Sequence, residues 1–142
     1  MLKVFNNKIF VCGIDEAGRG SLAGPVTAAA VILPKKYRNP LIKDSKKISK
    51  STRIKLFKEI IKVSIDYAII DISNKTIDSI NILESTFKAM NGAISKMDKK
   101  PDYFIIDGNK FKTDKQIKYE CIIKGDNIFQ SIAAASILAK VH

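Results

Sequence analysis

The sequence predicts a mixed α/β protein in which helices flank a central β-sheet, all in one domain of 142 residues. Short β-branched runs alternate along the chain with stretches whose apolar residues recur at helical spacing. Three of those runs lead into acidic residues, as happens where strands deliver side chains to one rim of a sheet. Hydrophobic residues make up 46% of the chain, enough for an ordinary core. No repeat, linker or low-complexity tail divides it.

The first run, Ile9 to Ile14, is short, apolar and ends in Asp15-Glu16, which marks a buried strand. Pro25 to Pro34 encloses Val26-Thr27-Ala28-Ala29-Ala30-Val31-Ile32-Leu33. Its alanines would suit a helix, but the flanking prolines and the Gly/Pro-rich turn before it favour a strand paired with the first. A polar, Lys-rich loop from Lys35 to Lys50 follows. Ile54, Phe57, Ile60 and Ile61 then recur at helical spacing behind Ser51 as N-cap, giving an amphipathic helix to about Lys62.

Val63 to Ile72 reads as the next strand. Behind it Ile80, Leu83, Phe87, Met90, Ile94 and Met97 share one face of a longer helix that stops before Pro101. Tyr103-Phe104-Ile105-Ile106 leads into Asp107-Gly108, and Tyr119-Glu120-Cys121-Ile122-Ile123 leads into Lys124-Gly125-Asp126. Both are short strands. The segment from about Ile128 to Val141 carries Ile132, Ile137 and Leu138 among small residues, the composition of a helix packed closely on a sheet.

Composition narrows the functional class. No run of about 18 apolar residues occurs, and Met1 to Lys8 lacks the apolar core and cleavage site of a secretory signal, so a soluble, cytoplasmic protein with no membrane partner is expected. Cys12 and Cys121 sit in apolar runs without C-x-x-C spacing and are expected as reduced thiols. The formal charge of +11 favours a polyanionic partner such as nucleic acid, although a Lys-, Ile- and Asn-rich genome would produce the same excess.

If the first strand lies beside the one ending at Asp107, with the Ile123 run close by, then Asp15, Glu16, Asp107 and Asp126 converge on one rim. Such a cluster requires cations to offset its repulsion. With only oxygen donors at hand, Mg²⁺ or Mn²⁺ is the expected kind of ion, and a pair of them would suit phosphodiester hydrolysis. Each piece also has a plainer reading. Asp107-Gly108 is a common turn, Asp126 would serve as a helix N-cap or first-turn acid, and Asp15-Glu16 would suit a solvated strand end. Adjacent strand residues face opposite ways, so two neighbouring carboxylates reach one site only if the strand bends, and Gly18 marks where it would.

Gly13-Ile14-Asp15-Glu16-Ala17-Gly18-Arg19-Gly20, continuing Ser21-Leu22-Ala23-Gly24-Pro25-Val26, resembles the opening motif of ribonuclease HII. Further matches follow in the family's order: Asp44-Ser45-Lys46-Lys47-Ile48-Ser49, Ile80-Asn81-Ile82-Leu83, Ile106-Asp107-Gly108-Asn109, and Lys124-Gly125-Asp126 with Ser131 to Val141. Together they span nearly the whole chain.

The resemblance implies a ribonuclease H-like fold. In it Asp15, Glu16, Asp107 and Asp126 are catalytic and bind divalent Mn²⁺ or Mg²⁺, with Asp15 shared between two ions. It implies that Gly18-Arg19-Gly20 approaches the ribonucleotide and reads its 2′-hydroxyl through backbone groups, which glycines permit. Arg19 would help hold the substrate backbone, Lys46 would contact phosphate, and Lys47 is a weaker candidate for the same task. The implied substrates are RNA:DNA hybrids and duplex DNA containing single ribonucleotides, cut on the 5′ side of the ribonucleotide to leave a 3′-hydroxyl and a 5′-phosphate. No protein partner follows from it.

Family members continue past Lys140-Val141-His142 with an Arg-Asp pair and further helices, one carrying a tyrosine that stacks beside the ribonucleotide. The expectation is therefore of a single catalytic domain over 1–142 truncated at its C-terminus, and no residue takes the tyrosine's role. His142 is assigned nothing. Two alternatives stand beside the active nuclease: an impaired, nucleic-acid-binding fragment, and a different nuclease or recombinase of the same broad fold, whose mark would be cleavage of all-DNA duplex.

Overall fold

A computed structural model describes residues 1–18 and 25–142, apart from the side chains of Asn74, Asp78 and Ser79. Five strands form one sheet: β1 (Val11–Ala17), β2 (Val26–Ile32), β3 (Asp66–Ile72), β4 (Tyr103–Asp107) and β5 (Tyr119–Ile122), in spatial order β3-β2-β1-β4-β5. The first three pair antiparallel, while β4 and β5 run parallel to β1. The expected mixed sheet is thus present, and β1 lies directly beside β4.

Both faces are covered, and strand alternation decides which residue meets which helix. Cys12 and Ile14 of β1, Val26, Ala28, Ala30 and Ile32 of β2, and Phe104 and Ile106 of β4 pack beneath Ala89, Met90, Ala93 and Met97 of α3 (Ile82–Lys96). On the other face Ala29 and Val31 meet Leu56 and Ile60 of α1 (Lys50–Val63) and the small residues Ala133, Ala134 and Ala135 of α4 (Gln130–Val141). Val11 and Ile105 share that face with Ile132. A Cβ on Gly13 would stand 2.3 Å from the backbone of Ser131, so α4 rests almost directly on β1.

Several boundaries differ from the sequence reading. β1 begins two residues later than Ile9 and runs through Asp15-Glu16 to Ala17, because pairing with β2 continues to Ala17–Thr27. Ladder bonds, not side-chain polarity, set its end. The cap of α1 is Ser49 rather than Ser51, its hydroxyl accepting from the Thr52 amide at 3.2 Å. Leu56 and Ile60 are the buried pair of that helix, and Ile54 is 39% exposed. The helix continues to Val63, so β3 starts at Asp66 instead.

The longer helix expected from Ile80 to Met97 is two helices, α2 (Asn74–Ile80) and α3. They part at Asn81, whose positive φ of 76° ends one while its side chain accepts from the Glu84 amide at 3.0 Å to cap the next. The Lys35–Lys50 loop contains a 3-10 turn at Ser45–Lys47 and buries Ile42, Asp44 and Ser45. Asp126 lies in a second 3-10 turn, Gly125–Asn127, and is not the cap of α4, a place held by Phe129. Cys12 is buried and Cys121 half-buried, both as free thiols. Among the described residues, no helix is long and apolar enough to cross a membrane.

Candidate active site

The pleat and the register bring the acids together. Ile14 pairs with Ile106, so Asp15 and Asp107 occupy the next rung of two adjacent parallel strands. Asp15 follows Val11 and Gly13, and Asp107 follows Ile105, along the sheet face that carries α4. The turn holding Asp126 leads into that same helix. Its backbone amide donates to Asp107 Oδ1 at 3.3 Å. Gly125 makes the approach possible: a Cβ there would lie 2.5 Å from Ile132 Cδ1 and 3.5 Å from the Asp107 carboxylate.

Glu16 belongs by alternation to the opposite row of β1, yet it is close enough to Asp15 for its charge to raise that carboxyl. Its amide also donates to Asp15 Oδ1 at 2.8 Å. The strand does not need to bend before residue 16 for the two to meet. Gly18 adopts a φ of 91° just beyond the strand.

Electrostatics reports the crowding. Asp15 is only 4% exposed. Burial, then the charges of Glu16 and Asp107, hold its carboxyl well above the ordinary carboxylate range. Asp126 is raised by burial and by the neighbouring Asp107 and Asp44, with Lys46 opposing. Asp107 is therefore the hub, felt by both Asp15 and Asp126. Among the described residues, however, no three acidic, His or Cys side chains already stand close enough to enclose one metal ion.

The cationic side of the site is also built. Lys46 is well exposed, with its ammonium 3.9 Å from Asp44, while Lys47 Nζ donates to Asn127 Oδ1 at 2.9 Å, beside Asp126. Arg19 and Gly20, expected to touch substrate, lie outside the described residues. His142 stands against Asp71, Nε2 to Oδ2 2.8 Å. Asp44 is the residue that sequence reasoning passed over. It is an acid in a Lys-rich loop that patterning would leave in solvent, yet it is buried and its charge is felt at Asp126. Its signals in the sequence are its place at the head of the Asp44-Ser45-Lys46 match and the spacing of an N-cap.

Comparison with known proteins gives concordant results. A family model described as ribonuclease HII matches residues 12–142. A ribonuclease HII of Christiangramia forsetii is 50% identical over 142 residues, covering all of this chain and 72% of its own. That of Cytophaga hutchinsonii is 50% identical over 131 residues, 92% of this chain and 65% of its own. The chain thus spans about two thirds of the length of these relatives. Among solved structures, ribonuclease H2 from Pyrococcus horikoshii OT3 superposes with a TM-score of 0.82 at 27% identity, over 93% of this chain and 71% of that one. A Bst-RNase HIII in complex with Mn²⁺ shares the fold at a TM-score of 0.74 and 20% identity, over 94% of this chain and 51% of that one.

Proposed function

The chain belongs to the ribonuclease HII family, and from that premise we propose that residues 1–142 act as one cytoplasmic catalytic unit, a metal-dependent endonuclease. Its substrates are the RNA strand of RNA:DNA hybrids and duplex DNA with embedded ribonucleotides, which it cuts 5′ of the ribonucleotide to leave a 3′-hydroxyl and a 5′-phosphate. The observation that carries the reading is the Asp15–Asp107 rung with the Asp126 turn seated on it.

That arrangement suits divalent ions. Asp15, Glu16, Asp107 and Asp126 offer oxygen donors alone, the set that favours Mg²⁺ or Mn²⁺ over softer metals. Burial among like charges holds the Asp15 carboxyl above the ordinary carboxylate range, a repulsion that a bound cation would offset. When bound, such ions supply an activated water and stabilisation of the leaving oxygen. The Bst-RNase HIII captured with Mn²⁺ supports the choice of ion.

The chain's own groups do the rest. The four carboxylates would hold the ions at the rim of the sheet. Lys46, exposed at the rim, takes a neighbouring phosphate, and Lys47, tied to Asn127, is the second cation for the backbone. Gly18-Arg19-Gly20 sense the ribose 2′-hydroxyl, a role that rests on the family resemblance.

A labelled DNA duplex carrying one ribonucleotide tests the proposal. The expected result is Mn²⁺- or Mg²⁺-dependent scission immediately 5′ of the ribonucleotide, abolished in Asp15→Asn, with all-DNA duplex untouched. Salt-sensitive binding without product at any metal concentration would replace the nuclease with a nucleic-acid-binding protein. Scission of all-DNA duplex would indicate a different nuclease.

A further inference from the structure

We infer that Asp44 is a positioning residue that holds the Lys46 ammonium at the rim of the acidic cluster for contact with the substrate backbone. The inference rests on the nuclease reading above and adds to it a residue with no assigned role.

Asp44 uses its two oxygens differently. Oδ1 accepts from the Lys46 amide at 3.0 Å and so caps the 3-10 turn Ser45–Lys47. Oδ2 faces the Lys46 ammonium at 3.9 Å. The carboxylate is 5% exposed, whereas the Lys46 side chain is 71% exposed. A buried anion therefore anchors one end of a flexible, solvated cation.

The turn itself is fixed on three sides. Ser45 Oγ meets Ser136 Oγ of α4 at 3.2 Å. The Arg53 guanidinium donates to the Ser45 carbonyl at 2.8 Å, and Lys47 bridges to Asn127. The loop is thus clamped to the elements that carry Asp126, and Lys46 is the part left free to move.

A cap alone would not select a carboxylate here. Asn caps as well as Asp, and a second negative charge beside Asp126 adds repulsion to a cluster already crowded with it. Among the described residues the ion-pair partner of that charge is Lys46, whose own field reaches Asp126. Holding that cation costs Lys46 rotamer freedom before substrate arrives, which lowers the loss on binding.

The test is a double-mutant cycle on binding. Affinity for a fluorescent RNA:DNA hybrid is measured by anisotropy in EDTA at near-physiological salt for the wild type, Asp44→Asn, Lys46→Met and the double variant. Asn keeps the cap and removes the charge. Loss of an acid near a polyanion by itself tightens binding in either background, so the coupling between the two sites is the informative quantity. Positioning predicts that Asp44→Asn is about two- to fivefold less favourable when Lys46 is present than in Lys46→Met, the range set by an ion pair with one exposed partner.

Zero coupling overturns the inference, as does the opposite sign, which would mean that Asp44 sequesters Lys46 instead. Should Asp44→Asn not fold, Asp44→Ser, a shorter capping residue without charge, closes the same cycle. A wild-type protein that does not bind hybrid at all overturns the nuclease reading and the inference together, whereas binding without coupling overturns the inference alone.

Discussion

Replacing Gly13 with alanine tests how closely α4 must lie on β1 for the acids to meet. The added Cβ would stand 2.3 Å from both the carbonyl carbon and the oxygen of Ser131, and 2.6 Å from the Ile132 nitrogen. Ordinary contact begins near 3.4 Å, so strand and helix must separate by about 1 Å. All three atoms are backbone, and no rotamer change relieves them. The cost therefore falls at or above the upper end of overpacking, about 3 kcal/mol, or a melting point lower by roughly 10 °C for a chain of this size.

The same separation reaches the site. Asp15 lies two residues along β1, and the Asp126 turn feeds directly into α4. Moving them apart by that distance predicts a loss of cleavage on the order of a hundredfold in whatever fraction stays folded. Thermal unfolding followed by circular dichroism, with cleavage of a single-ribonucleotide duplex below the transition, reads both. A Gly13→Ala protein within about 1 kcal/mol of wild type and fully active would refute the packing described.

Other expected outcomes follow from individual contacts. Asn81→Ala loses the α3 cap and leaves a strained positive φ, and should cost about 1–2 kcal/mol in urea unfolding, whereas Asn81→Gly trades the cap for relief of strain and should be nearly neutral. Gln130 is buried with its amide spanning the loop, accepting from the Asn39 amide at 2.8 Å and donating to the Tyr37 carbonyl at 3.0 Å. Gln130→Leu leaves the Asn39 amide unpaired, while the Tyr37 carbonyl keeps its bond from the Arg38 guanidinium, and should lower stability by about 1–3 kcal/mol. Because the Asp15 carboxyl is raised in the fold, the folded protein holds more protons than the unfolded chain between the two values. Metal-free stability therefore falls as pH rises through that window. Asp15→Asn should melt higher than wild type in EDTA at neutral pH, and the difference should shrink when Mn²⁺ is added; identical melting in EDTA would contradict the buried, crowded carboxyl.

Much of this was legible in the residues. Flanking prolines and the Gly/Pro-rich turn located β2, the apolar runs before Asp107 and Lys124 located β4 and β5, and the small residues after Ile128 foretold a helix tight on the sheet. The carboxylate cluster followed once β1 was placed beside β4. What stayed hidden depends on contacts distant in sequence. The ladder to Thr27 carries β1 past Asp15-Glu16, against their polarity. Asn81 breaks a helix whose apolar spacing runs on without interruption, because the break lies in a backbone angle and a side-chain cap. Asp44 is buried beside Ser45, which is held by Ser136 of α4 and by the Arg53 guanidinium, contacts that the polar loop sequence does not announce.

We propose that Asp15, Glu16, Asp107 and Asp126 work as one divalent-cation site, with Asp107 the neighbour common to Asp15 and Asp126. The most direct test is Mn²⁺ titration followed by electron paramagnetic resonance of the free ion, comparing the wild type with Asp107→Asn. The account predicts saturable Mn²⁺ uptake by the wild type and its loss in Asp107→Asn, whose fold is retained. Undiminished uptake in Asp107→Asn, or no saturable uptake by the wild type, would contradict it.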